Sequence, residues 1–119
     1  MNNILIIDDS VTIRESLDFV LGKEDFIVEK AANGQEGLEK LKKNRNYSLI
    51  IVDWNMPVMN GLEFLKEARK ISRDIPIVIL TTVSEKEKIE MAKKYKANAW
   101  IFKPFVEKDL IKVVRMFVK

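Results

Sequence analysis

The sequence predicts an α/β fold, a single parallel sheet of five strands alternating with five helices. Three observations predict it. The apolar runs in NILIIDD, YSLIIVD and IPIVILTT are continuous rather than alternating, as in strands buried on both faces. Between these runs, apolar residues recur three and four apart, as in helices with one buried face. The 119 residues suffice for one core and one domain. Such strands, joined by amphipathic helices, give a doubly wound sheet covered on both faces, with right-handed crossovers.

Each element follows in order. NILIIDD is the first strand, and Ser10 offers an N-cap to a helix carrying Ile13, Leu17, Val20 and Leu21, which Gly22 stops. FIVEKA is a second, weaker strand. NGQEGLEKLKK opens with turn residues and puts Leu38 and Leu41 on one helix face. YSLIIVD is the third strand, and MPVMNG is a turn in which Met56-Pro57 shapes the bend and Asn60-Gly61 introduces the next helix. LEFLKEARKI is that helix, with Leu62, Leu65 and Ala68 on one side and Phe64 and Ile71 beside them. IPIVILTT is the fourth strand. SEKEKIEMAKKY is a charged helix, capped by Ser84, with a thin stripe of Ile89, Ala92 and Tyr95. AWIFK is the fifth strand, ended by Pro104. Val106, Leu110, Val113, Val114 and Phe117 form the last helix stripe.

Composition removes several chemistries. There is no cysteine, so no disulfide or thiolate, and no histidine, the commonest general base and metal ligand. The net charge of +3 comes from interspersed lysines and glutamates, the mark of solvated helix faces rather than a nucleic-acid surface. The apolar start is too short for a signal peptide or a membrane span, so the expectation is a cytoplasmic protein without membrane or nucleic-acid partners.

What remains is carried by the strand ends. In a parallel sheet they share one edge, where sites of such folds form. Strand one ends in Asp8-Asp9, strand three in Asp53, strand four in Thr81-Thr82 and strand five in Lys103-Pro104. Three converging carboxylates repel one another unless a cation joins them. Oxygen ligands alone favour Mg²⁺, with Mn²⁺ as the alternative. A divalent cation, a lysine, a hydroxyl and a nucleophilic carboxylate together suit phosphoryl transfer through an aspartyl phosphate.

These motifs, IIDDS (6–10), VDWNMPVMNG (52–61), ILTT (79–82) and IFKPF (101–105), resemble the receiver domain of two-component response regulators, in particular the single-domain, chemotaxis-type, CheY-like members. The resemblance covers essentially the whole chain. It implies a flavodoxin-like sheet in the order 2-1-3-4-5 and one receiver domain over 1–119 with no output domain. It implies that Asp53 is the phosphoacceptor, that Asp8 and Asp9 hold Mg²⁺ with Asp53 and the backbone carbonyl of Asn55, and that Lys103 and Thr81 contact the phosphoryl group. Thr81 and Trp100 match the switch pair, and Lys103-Pro104 matches a bond commonly cis. A buried indole N–H needs a partner, which bears on any inward turn of Trp100. Thr82 stands where the family usually has Ala, Ser or Gly. Val83 matches a position that tunes dephosphorylation and cannot orient water, which implies slow self-hydrolysis.

The implied function is a stand-alone response regulator. A CheA-like histidine kinase supplies the phosphoryl group, and the chain catalyses its own phosphorylation and dephosphorylation. The face of the fourth helix, fifth strand and fifth helix (Lys86, Ile89, Lys93, Trp100 and Lys103) then changes for a flagellar switch protein or a phosphotransfer protein. A phosphatase is a further partner, and a monomer is expected. Two alternatives keep the fold: a phosphorelay intermediate, or an interaction module that is never phosphorylated. A small-molecule phosphatase of the aspartyl-phosphate type wants Asp-x-Asp after strand one, and here the aspartates are adjacent.

Overall fold

The computed structural model describes residues 2–118. The strands are β1 (Asn3–Ile7), β2 (Ile27–Ala31), β3 (Leu49–Val52), β4 (Ile77–Thr81) and β5 (Ala99–Phe102). The helices are α1 (Val11–Gly22), α2 (Gly34–Lys43), α3 (Gly61–Ile71), α4 (Lys86–Lys94) and α5 (Glu107–Phe117). All strand pairs are parallel, in the order β2-β1-β3-β4-β5.

The continuous apolar runs are explained by two cores. Leu5, Ile7, Ile50, Val52, Ile77 and Ile79 face α2, α3 and α4, where Leu38, Leu41, Phe64, Leu65, Ala68 and Ala92 are buried. The alternate residues Ile4, Ile6, Leu49, Ile51, Val78 and Leu80 face α1 and α5 and bury Leu17, Val20, Leu21, Leu110 and Val114. A strand with a core on each side has no polar face to show.

Gly22 ends α1 as expected, and the left-handed residue of the reversal is Asp25, at φ 66. Aspartate tolerates that region better than most residues. Ser84 does not cap α4. The N-cap is Glu85, which makes no capping bond and pairs instead with Lys88 at 3.1 Å. Val106 stands at the N-cap of α5 and is exposed, so the buried stripe begins at Leu110. Asn60-Gly61 introduces α3 as expected, and does so through a capping box: Asn60 Oδ1 accepts from the Glu63 amide at 2.9 Å, and Glu63 Oε1 accepts from the Asn60 amide at 3.0 Å.

Arg69 staples the loops at the opposite end of the sheet. Its Nε and Nη2 donate to Lys96 O, at 3.2 and 2.8 Å, and Nη2 also to Asn98 Oδ1 at 3.0 Å. Nη1 donates to Ser72 O at 3.2 Å and Ile75 O at 2.8 Å. One side chain thus ties the end of α3 to the turn before β5, where Lys96 holds φ 69. Arg69→Met leaves these acceptors without their donor and should lower stability by about 2–3 kcal/mol. Urea unfolding checks this, and an unchanged midpoint would remove the staple from the account.

Candidate functional site

The sheet order reverses at β1, which pairs with both β2 and β3. The register sets Ile7 opposite Val52, so the next residues, Asp8 and Asp53, emerge side by side. Backbone bonds continue the ladder: Asp53 N donates to Ile7 O at 3.0 Å, and Asp8 N to Ala31 O at 3.1 Å. On the far side Thr81 pairs with Phe102, and Lys103 N donates to Thr81 O at 2.9 Å. Lys103 is thereby aimed back at the aspartates. The Lys103-Pro104 peptide is cis.

Lys103 Nζ lies 2.6 Å from Asp8 Oδ2 and 2.9 Å from Asp53 Oδ2, joining the two carboxylates. The three side chains are largely buried, at 11%, 3% and 10% exposure for Lys103, Asp8 and Asp53. The second oxygen of each carboxylate meets a backbone amide. Ser10 N donates to Asp8 Oδ1 at 2.9 Å, and Trp54 N to Asp53 Oδ1 at 2.6 Å. Asp9 is exposed, and one carboxylate oxygen from each of Asp8, Asp9 and Asp53 falls within 4.8 Å of the others. This hard, all-oxygen donor set fits Mg²⁺ or Mn²⁺.

The electrostatics match the burial. Desolvation pushes the Asp8 carboxyl above its ordinary value, against hydrogen bonds from Lys103 and Ser10, with the Asp53 charge adding to the rise. Burial draws Lys103 down, but bonds and charges from both aspartates outweigh it and hold the ammonium above its usual range. Both values rise, for different reasons: at Asp8 burial outweighs a single shared cation, whereas at Lys103 two carboxylates outweigh burial.

The other expected residues separate into groups. Thr81 is buried, and its Oγ1 accepts weakly from Val83 N at 3.4 Å. Asn55 and Thr82 are exposed. Val83 packs its side chain into the core. Trp100 is half-buried and turned inward, its Nε1–H donating to Val83 O at 3.1 Å, so the indole has the partner it needs. Lys86 and Lys93 are exposed and Ile89 half-buried on α4. Lys103 does not share that flank: its ammonium points at Asp8 and Asp53.

Arg14 and Gly61 are not legible as site residues. Arg14 Nη1 donates to Asp8 O at 2.6 Å, although an arginine on a helix reads as solvated. Gly61, read only as a helix start, packs so closely that a Cβ would overlap Asp53 O and lie 2.8 Å from Trp54 Cα. Trp54 is buried, its ring 5.2 Å from that of Trp100.

Comparison with known proteins gives one family and consistent neighbours. Residues 4–115 match the response regulator receiver domain. The chain is 40% identical to the chemotaxis protein CheY1 of Helicobacter pylori, over 93% of this chain and 94% of that one. It is 36% identical to a CpxR homolog, a transcriptional regulatory protein of Haemophilus influenzae, but spans only 51% of its length. The solved structure of chemotaxis protein CheY4 of Vibrio cholerae superposes with a TM-score of 0.92 at 38% identity, covering 99% of both chains.

Proposed function

Because this chain belongs to the response regulator receiver domains, we propose that it is a phosphorylation switch with Asp53 as phosphoacceptor. The observation that carries the reading is the Lys103 bridge between Asp8 and Asp53, with Asp9 alongside. Asp53 is held as a nucleophile at the mouth of a rigid strand. One of its oxygens attacks the phosphorus of a phosphohistidine on a partner kinase. The O–P bond forms, the P–N bond breaks, and the departing imidazole takes a proton from solvent. Lys103 follows the incoming phosphoryl oxygens with a fixed positive charge, and the Thr81 hydroxyl donates to one of them in exchange for its weak bond to Val83 N. Asp8, Asp9, Asp53 and the carbonyl of Asn55 would hold Mg²⁺, which supplies charge neutralisation when bound. Hydrolysis reverses the modification: water attacks phosphorus, the P–O bond to Asp53 breaks, and inorganic phosphate leaves.

The output is a change on the flank of α4, β5 and α5 at Lys86, Ile89, Lys93 and Trp100. The similarity to chemotaxis proteins over nearly their whole length supports a motility partner, such as a flagellar switch protein. The similarity to half of a transcriptional regulator supports a second reading, in which the same receiver controls an attached output domain. Among the described residues no helix is long and apolar enough to cross a membrane.

Beryllofluoride, which mimics an aspartate-bound phosphoryl group, tests the reading by calorimetry. We expect one equivalent to bind only with Mg²⁺ present, and Asp53→Asn to abolish binding. Binding that survives Asp53→Asn, or none in the unaltered chain, would leave the interaction-module alternative.

A further inference from the structure

The phosphoacceptor carboxylate is fixed on one side by Lys103 and on the other by the amide of Trp54, at 2.6 Å, a short charge-assisted bond. The direction of that N–H depends on where the Trp54 backbone sits. Three contacts hold it. Gly61 sits so close that a Cβ on it would lie 2.8 Å from Trp54 Cα, and Gly61 N donates to Trp54 O at 2.8 Å. The third contact is the indole, buried in the core and tilted 49° against the ring of Trp100.

Trp100 is itself held on its other side by Val83 O at 3.1 Å. Val83 N in turn engages the Thr81 hydroxyl. A continuous set of contacts therefore runs from the α4-β5 flank to Asp53 Oδ1 without passing through Lys103. Its central joint is a pair of large rings whose packing leaves little freedom.

We propose that Trp54 and Trp100 act as one positioning unit, in which the inward indole of Trp100 braces Trp54 and so sets the orientation of the Asp53 carboxylate. Residue 100 affects the acceptor directly as well as the partner face. By linkage, a partner that grips Trp100 in this position raises the affinity of Asp53 for a phosphoryl mimic, and one that pulls it outward lowers it. The inference rests on the phosphoacceptor reading for its ligand, though not for its geometry.

A double-variant cycle tests it, with beryllofluoride and Mg²⁺ binding read by calorimetry on Trp100→Ala, Trp54→Leu and the pair. We expect Trp100→Ala to weaken binding about fivefold in the native background and less than twofold when Trp54 is already leucine, as coupled neighbours do. Equal effects in both backgrounds, or no effect of Trp100→Ala, overturn the proposal. Should either variant fail to fold, Trp100→Phe and the ¹⁵N-resolved amide proton of Trp54 decide. Bonded to the carboxylate, that proton should resonate downfield, and Trp100→Phe should move it without ligand. An unmoved resonance also overturns the coupling. If the unaltered chain fails to bind beryllofluoride, the phosphoacceptor reading fails, while the amide resonance still tests the unit.

Discussion

Lys103→Met is expected to slow phosphoryl incorporation at Asp53 by about 100-fold or more, the scale on which one preorganised charge-stabilising group is lost. Mg²⁺ should still bind, because lysine is not among the oxygen donors. Its removal frees Asp8 Oδ2 and Asp53 Oδ2 from their shared partner. The stability of the metal-free protein should fall at the same time, by about 2–4 kcal/mol near pH 7, since two buried carboxylates then lack a counter-charge. The pH dependence follows from the raised pKa of Lys103. Its contribution is fully present below the ordinary lysine value and is lost as pH rises through the higher folded value. The stability difference between the two proteins should therefore hold across neutral pH and shrink in strong alkali. Added Mg²⁺ should restore part of the lost stability by mass action. Phosphotransfer rates and urea unfolding, each with and without Mg²⁺, separate these effects. A variant that reacts at the native rate would remove Lys103 from the reaction and leave it a structural ion pair.

The fold was legible because its strongest signals are local. A continuous apolar strand between two amphipathic helices has few other stable arrangements, and Asp8, Asp53, Thr81 and Lys103 could be assigned to one edge before any coordinates. Less legible were features set by distance in space. Nothing in the sequence says that Lys103 grips two aspartates, or that the rings of Trp54 and Trp100 meet. Arg14 looks like any solvated helix cation until the Asp8 carbonyl is found against it. Gly61 is a turn residue by composition, and only the packing shows that its missing side chain lets α3 approach Asp53. At α4, a serine at a plausible capping position was a weaker guide than the backbone, which starts the helix after Glu85. Short helices with thin apolar stripes offer least to such reading, because tertiary contacts decide where they begin.

Asp8→Asn should make the metal-free protein more stable at pH 7, by about 1 kcal/mol, while weakening Mg²⁺ binding. Two terms compete. The amide can accept one of the two hydrogen bonds that the carboxylate now takes from Lys103 and Ser10, so a bond weakens. Against this, the charge no longer has to be buried, and burial is the largest influence on Asp8, strong enough to raise its pKa despite both bonds. The net upward shift shows which term prevails. An acid whose folded pKa lies above its unfolded value is a burden when ionised. That burden begins as pH rises past the unfolded value of 3.8, grows until the raised folded value is passed, and stays constant above it. The two proteins should therefore converge in stability in acid and diverge towards neutrality, with the asparagine variant the more stable. Urea titrations from pH 3.5 to 7.5, first in a chelator and then in Mg²⁺, read both halves of the prediction. In Mg²⁺ the order should narrow or reverse, because the native carboxylate gains more from the cation than the amide does. A variant less stable than the native chain at pH 7 in chelator would mean that Asp8 is kept for its bond to Lys103. The expected pattern means instead that a buried charge which strains the fold is retained because a cation needs it.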